Sequence, residues 1–274
     1  MKKIINYKDL EMFAYSNDKH CKGKIKGIVI SFRGLGAAQM ISDDTTIEAL
    51  KPTVARAMRY AENNIAFFVP YTNPWSWMNE EAVSYTDEVI DALISHYSLP
   101  NDIPIVSTGG SMGGQCALTY MVYAKRTPVA CIANCPVCDV PFHFTERPDL
   151  PRSFYSAYHN CEMSMDEALR AHSPLHLADK MPRADYCIFH CEEDRAVNIH
   201  AHSERFVAEL SKYQNVRYHT VPDRGHCALT PEMQKLFDEY AEKAIFLSSS
   251  NTSIGTILIF IFLFPSSSSS CFLW

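Results

Sequence analysis

What most restricts the fold of this chain is a rhythm of short, nearly continuous apolar runs separated by longer amphipathic segments. The runs at 27–32, 65–69, 103–108, 129–133, 186–190 and 216–221 are dominated by Val, Ile, Phe, Ala and Tyr. A strand exposed on one face alternates apolar and polar residues. Continuous runs instead mark strands covered on both faces, the condition of a parallel sheet. The segments between have helical spacing. After Asn79 and the acidic pair Glu80–Glu81, the residues Ala82, Val83, Val89, Ile90, Leu93, Ile94 and Tyr97 recur on one stripe. Thr230 and Pro231 open a last helix whose apolar face is Leu236, Phe237, Tyr240, Ala241, Ala244 and Ile245. Strand and helix alternating in this way predict an α/β fold, a mostly parallel, doubly wound sheet.

A chain of 274 residues can bury one sizeable core. We expect one domain over 1–247. The segment 139–182, rich in Pro, His and aromatics with one short helical pattern at 165–171, is expected to be a lid inserted between two strands. The tail 248–274 pairs serine runs with an eleven-residue apolar run at 254–264 and is expected to be disordered. A membrane-crossing helix needs about 20 apolar residues, so that run is too short alone, and a membrane anchor is the weaker reading.

The net charge of −6 and the lack of any long Lys/Arg run argue against a nucleic-acid partner. Ten cysteines at irregular spacing do not make a disulfide scaffold. Cys131 and Cys187 lie inside apolar runs and read as buried thiols. With no signal-peptide pattern at the N-terminus, a cytoplasmic location is expected. Cys135-Pro-Val-Cys138 lacks the second close pair that a structural zinc site needs, so inert thiols and no metal are expected.

The chemistry starts at Gly109-Gly110-Ser111-Met112-Gly113, a G-x-S-x-G run placed between a buried strand and a helix. There the chain must turn sharply enough to lift the Ser111 hydroxyl above the sheet, and the glycines let strand and helix approach. A phosphate-binding loop would need Lys-Ser or Lys-Thr after the last glycine, where Gln115 stands. Arg33-Gly34-Leu35-Gly36 follows the first strand. The backbone N–H groups of Leu35 and Met112 are the candidate oxyanion donors. A serine hydroxyl needs a base, and the base needs an orienting carboxylate. Asp194, after the strand at 186–190, and His226, after the strand at 216–221, supply them in the order Ser, acid, His. Glu192 and Glu193 are rivals for the acid. His172, His176, His200 and His202 lie in polar or helical stretches and read as surface or capping groups. Trp75 and Trp77, in a strand-end loop, are candidate pocket walls with Arg33.

These residues resemble the catalytic domain of the prolyl oligopeptidase-like peptidases and esterases, whose acid sits in H-G-x-x-D-x-x-V and whose base sits in P-x-x-G-H. His190, Asp194 and Val197 match the first pattern, and Pro222, Gly225 and His226 the second. Cys191 stands in place of the usual glycine, and Arg33 where many relatives have His or Tyr. The resemblance covers about 25–245. It implies the α/β-hydrolase fold and a serine hydrolase that forms an acyl-enzyme without cofactor or metal. The large N-terminal propeller of the family's oligopeptidases has no counterpart in the short stretch before the first predicted strand, which favours a small ester, amide or short-peptide substrate. A non-catalytic binding protein of the same fold is the alternative, disfavoured by a complete triad. A membrane-tethered interaction protein would rest on the tail alone.

Overall fold

The computed structural model describes residues 5–37 and 40–252. Seven strands form one sheet: β1 (Ala14–Ser16), β2 (Gly27–Phe32), β3 (Ile65–Pro70), β4 (Ile105–Gly110), β5 (Ala130–Asn134), β6 (Asp185–Cys191) and β7 (Val216–Val221). Their order is β1-β3-β2-β4-β5-β6-β7. All neighbours are parallel except β1, which pairs antiparallel with β3 through Tyr15 opposite Val69. The six parallel strands are those expected, shifted by a residue or two at their ends. The edge strand β1 was not. Three residues carry too little pattern to read as a strand, and the first strand was expected only from about 27.

Helices cover both faces. On one lie α1 (Lys51–Glu62) and α8 (Pro231–Thr252), whose Ala57, Tyr60, Phe237, Ala241 and Ile245 pack on Val29, Phe67, Val106, Ile132 and Phe189. On the other lie α2 (Glu80–Tyr97) and α3 (Met112–Tyr123), joined by α7 (Arg205–Leu210). Their Val89, Leu93, Ala117, Leu118 and Phe206 pack on Ile28, Ile30, Cys131 and Ile188. Successive strand residues thus point into different cores, which is why each run is apolar throughout. Helix starts follow the sequence: the Asn79 side chain caps α2 by accepting the Ala82 N–H at 3.0 Å, and Thr230 Oγ accepts from Met233 at 3.2 Å. The architecture is the α/β-hydrolase fold.

The segment 139–182 holds three helices rather than one: α4 (Val140–Glu146), α5 (Pro151–Tyr158) and α6 (Met165–Ala171). The first two carry prolines at their starts, in a Pro-rich stretch, which read as loop punctuation rather than as helix starts. They are tied down by Trp77, whose indole N–H donates to Ser153 Oγ at 3.0 Å and whose ring stacks on Phe154. Among the described residues every cysteine is free, and no helix is long and apolar enough to cross a membrane. Helix α8 carries the chain to Thr252, and the apolar run at 254–264 lies outside the described residues.

Candidate active site

The chain winds from β2 to β3 on one side and then returns to place β4 on the other side of β2. Ligand crevices form at such reversals, beyond the strand C-termini. Phe32 of β2 is level with Gly109 of β4, and Gly110 with Asn134 of β5, so the loops after these strands meet at one edge.

Ser111 stands between β4 and α3 with φ +59° and ψ −128°, a conformation no ordinary L-residue favours. The flanking glycines explain how it is held. A Cβ on Gly109 would sit 2.1 Å from the Gly113 carbonyl oxygen, and one on Gly113 would sit 2.3 Å from that of Phe32. Strand, turn and helix therefore pack backbone to backbone. The Arg33–Gly36 loop lies alongside: a Cβ on Gly34 would be 3.8 Å from that of Ser111. The N–H groups of Leu35 and Met112 have no hydrogen-bond acceptor among the described residues. Two unspent donors beside a strained serine can receive an oxyanion.

Asp194 follows β6 and His226 follows β7, and Cys191 pairs with Val221 across those strands. The Asp194 carboxylate is fully buried. Its Oδ1 accepts the N–H groups of Ala196 and Val197 at 2.8 and 2.9 Å, and its Oδ2 accepts His226 Nδ1–H at 2.6 Å. Burial alone would raise its pKa, but these bonds and the nearby His190 outweigh it and hold the carboxyl far below the usual range. The anion fixes the His226 tautomer with the Nε2 lone pair free to act as base. His190, fully buried between Ser203 Oγ at 2.6 Å and the Val197 carbonyl at 3.0 Å, braces this loop. The rivals Glu192 and Glu193 are both exposed.

One cavity of about 580 Å³ brings together Ser111, His226, Met112, Leu35, Arg33 and Trp77. Trp75 lies elsewhere: it lines a separate depression with Tyr85 and His159, and Arg152 stacks on its ring. Trp77 is at once wall and core, with no exposed surface. Among the wall residues missed in the sequence are Arg56 on α1, His143 and Arg147 at α4, and Cys227. Only Cys227 carried a usable signal, its place next to His226. His172 is the C-cap residue of α6, in line with the capping reading, and is buried; His202 is buried too, its Nδ1 accepting the N–H groups of Cys138 and Asp139, each at 3.1 Å. Nor do Cys135 and Cys138 pair. Cys135 packs with Cys191 and Val221, while Cys138 belongs to the main core.

Comparison with known proteins places this site in context. The model of the prolyl oligopeptidase family matches residues 78–252. No curated protein sequence matches the chain. Among solved structures, a puromycin hydrolase superposes with a TM-score of 0.65 at 15% identity, over 84% of this chain and 35% of its own. This chain thus spans about a third of that enzyme's length. Esterase 2 of Thermogutta terrifontis superposes with a TM-score of 0.59 at 17% identity, over 89% of this chain and 94% of its own. Esterase PE8 gives 0.56 at 14%, over 82% and 95%.

Proposed function

We propose that this chain, which belongs to the prolyl oligopeptidase family, is a serine hydrolase that cleaves small ester, amide or short-peptide bonds through an acyl-enzyme. The observation that carries the reading is that His226, held by Asp194, lines one cavity with a strained Ser111. His226 Nε2 takes the Ser111 proton as Oγ attacks the substrate carbonyl. The tetrahedral oxyanion accepts from the Leu35 and Met112 N–H groups. His226 then protonates the leaving group, and water, activated by the same imidazole, releases the acid. None of these steps calls for a cofactor.

The segment 139–182 acts as a cap, since His143, Arg147 and Leu150 close one side of the cavity. The wall carries Arg33, Arg56 and Arg147 and, among the described residues, no carboxylate. Asp238 pairs with Arg56 and Asp149 with Arg147, so the three guanidiniums together give the wall a partly offset positive bias towards the substrate. A substrate bearing a carboxylate near its scissile bond fits that bias. The site of action is the cytoplasm.

The test is labelling of the full chain with a fluorophosphonate, compared with Ser111→Ala and His226→Ala, followed by aryl esters beside aminoacyl amides. Covalent labelling lost in Ser111→Ala is expected. An unlabelled wild type would favour the non-catalytic binding protein, and amide turnover without ester turnover would make the chain a peptidase.

A further inference from the structure

Beside His226 lies a set of soft donor atoms that acyl transfer does not use. Cys135 follows β5 with φ +46°, and Cys227 follows His226 with φ +57°. Cys135 is fully buried and packs with Cys191, Val221 and Cys227. Cys227 lines the Ser111 cavity, so the cluster is reachable from solvent. Its Sγ is 3.8 Å from His226 Nε2 and 3.6 Å from the Asn134 carbonyl oxygen. A Cβ on Gly110, the residue before the nucleophile, would lie 3.3 Å from that sulfur.

Cys135 Sγ, Cys227 Sγ and a ring nitrogen of His226 lie within 4.8 Å of one another, and Nε2 is the nitrogen 3.8 Å from Cys227 Sγ. Zinc bonds of about 2.3 Å to sulfur and 2.0–2.1 Å to nitrogen separate tetrahedral donors by roughly 3.5–4 Å, so the three need contract by about 1.3 Å at most. The outer arrangement is also that of a metal ligand. Asp194 holds His226 Nδ1–H at 2.6 Å and so orients the Nε2 lone pair, as carboxylates orient ligating imidazoles. The other histidine clusters differ. Both His190 nitrogens are spent on Ser203 and Val197, and His202 spends Nδ1 on two backbone N–H groups and directs Nε2–H at Glu146.

We propose that Cys135, Cys227 and His226 form an inhibitory site for a thiophilic divalent cation of the Zn²⁺ type. Two S–H protons leave to solvent, two metal–sulfur bonds and one metal–nitrogen bond form, and no atom changes oxidation state. The fourth position faces the cavity, open to water. Occupancy takes the lone pair that would deprotonate Ser111, so the bound cation switches the hydrolase off. The inhibition rests on the serine hydrolase reading, whereas the binding rests on the donors alone.

Titration of the thiol-reduced full chain with Co²⁺ reads binding without any catalysis, through the sulfur-to-cobalt charge-transfer absorption. One equivalent is expected to give the band and Zn²⁺ to displace it. The band should vanish in Cys227→Ala and in Cys135→Ala and persist in Cys138→Ala. In parallel, Zn²⁺ should block hydrolysis reversibly by a chelator, with affinity weakened about 10-fold or more in Cys227→Ala. A wild type without the band, or a band that survives Cys227→Ala, overturns the site. An active, metal-free enzyme lacking the band sinks the metal site and leaves acyl transfer standing. A band with the expected variant pattern in a protein that never hydrolyses does the reverse.

Discussion

His226 Nδ1 donates to Asp194 Oδ2 at 2.6 Å, while the other oxygen of that carboxylate is fully occupied by the backbone of Ala196 and Val197. The carboxylate therefore cannot swing away, and it dictates which imidazole nitrogen carries the proton. Asp194→Asn can keep the two backbone bonds through its carbonyl oxygen. Its NH₂ group then faces Nδ1 and forces the proton onto Nε2. We expect kcat to fall by about 10⁴ with the circular dichroism spectrum unchanged, because the base is present in the wrong tautomer. A loss under 10-fold would mean that another group orients His226.

Gly113 lets α3 begin against the end of β2. An alanine Cβ there would lie 2.3 Å from the Phe32 carbonyl oxygen and 2.9 Å from the Arg33 carbonyl carbon, both backbone atoms that cannot rotate aside. Gly113→Ala is expected to cost about 3 kcal/mol of stability, at the upper end for overpacking, and to displace the Arg33–Gly36 loop with its oxyanion donor. Urea unfolding measures the first effect and the rate of fluorophosphonate labelling the second. Unchanged labelling would show that the loop is free to yield.

These two residues also show what could be read from the chain. Gly113 and Ser111 sit in a local pattern, and local strain has a local signature. Asp194 and His226 were legible because each follows a strand, and strand order in a parallel sheet fixes which loops share an edge. Strand β1 was not, because three residues complete too few periods to stand out, and helices α4 and α5 were not, because the prolines at their starts read as loop punctuation. His202 was read as a surface or capping group from the polar or helical stretch around it. It is buried because its partners, Cys138 and Asp139, come from a distant part of the chain. The inserted helices contribute His143 and Arg147 to the missed wall, and their packing on Trp77 is tertiary throughout.

Within that insertion, Glu146 accepts from His143 Nδ1 at 2.5 Å and His202 Nε2 at 3.3 Å. Burial pushes its carboxyl up, but the two imidazole bonds outweigh burial and hold its pKa at about 2. Burial also lowers the His143 pKa, against the pull of Glu146. With an unfolded value of about 4.3, the anion stabilises the fold fully above that pH, and the contribution disappears as pH falls towards 2. The stability gap between wild type and Glu146→Gln should be constant from about pH 6 to 5 and then narrow steadily on acidification. Denaturant melts across that range measure it, and a gap independent of pH would refute the assignment.

Arg33 offers the sharpest test of substrate charge. It is half-buried in the cavity wall, on the loop that carries Leu35, and desolvation lowers its pKa; a guanidinium stays protonated in proteins. A guanidinium in such a setting attracts an anion more strongly than one in open solvent, by about 1 kcal/mol, or roughly 5-fold in kcat/KM. Arg33→Ala should therefore lower kcat/KM for a carboxylate-bearing acyl ester about 5-fold more than for its neutral methyl ester, and the difference should shrink in high salt. Arg33→Lys keeps the charge and should recover much of the preference. If both esters fall equally in Arg33→Ala, the residue shapes the loop instead of reading the substrate, and the acyl group need not be anionic.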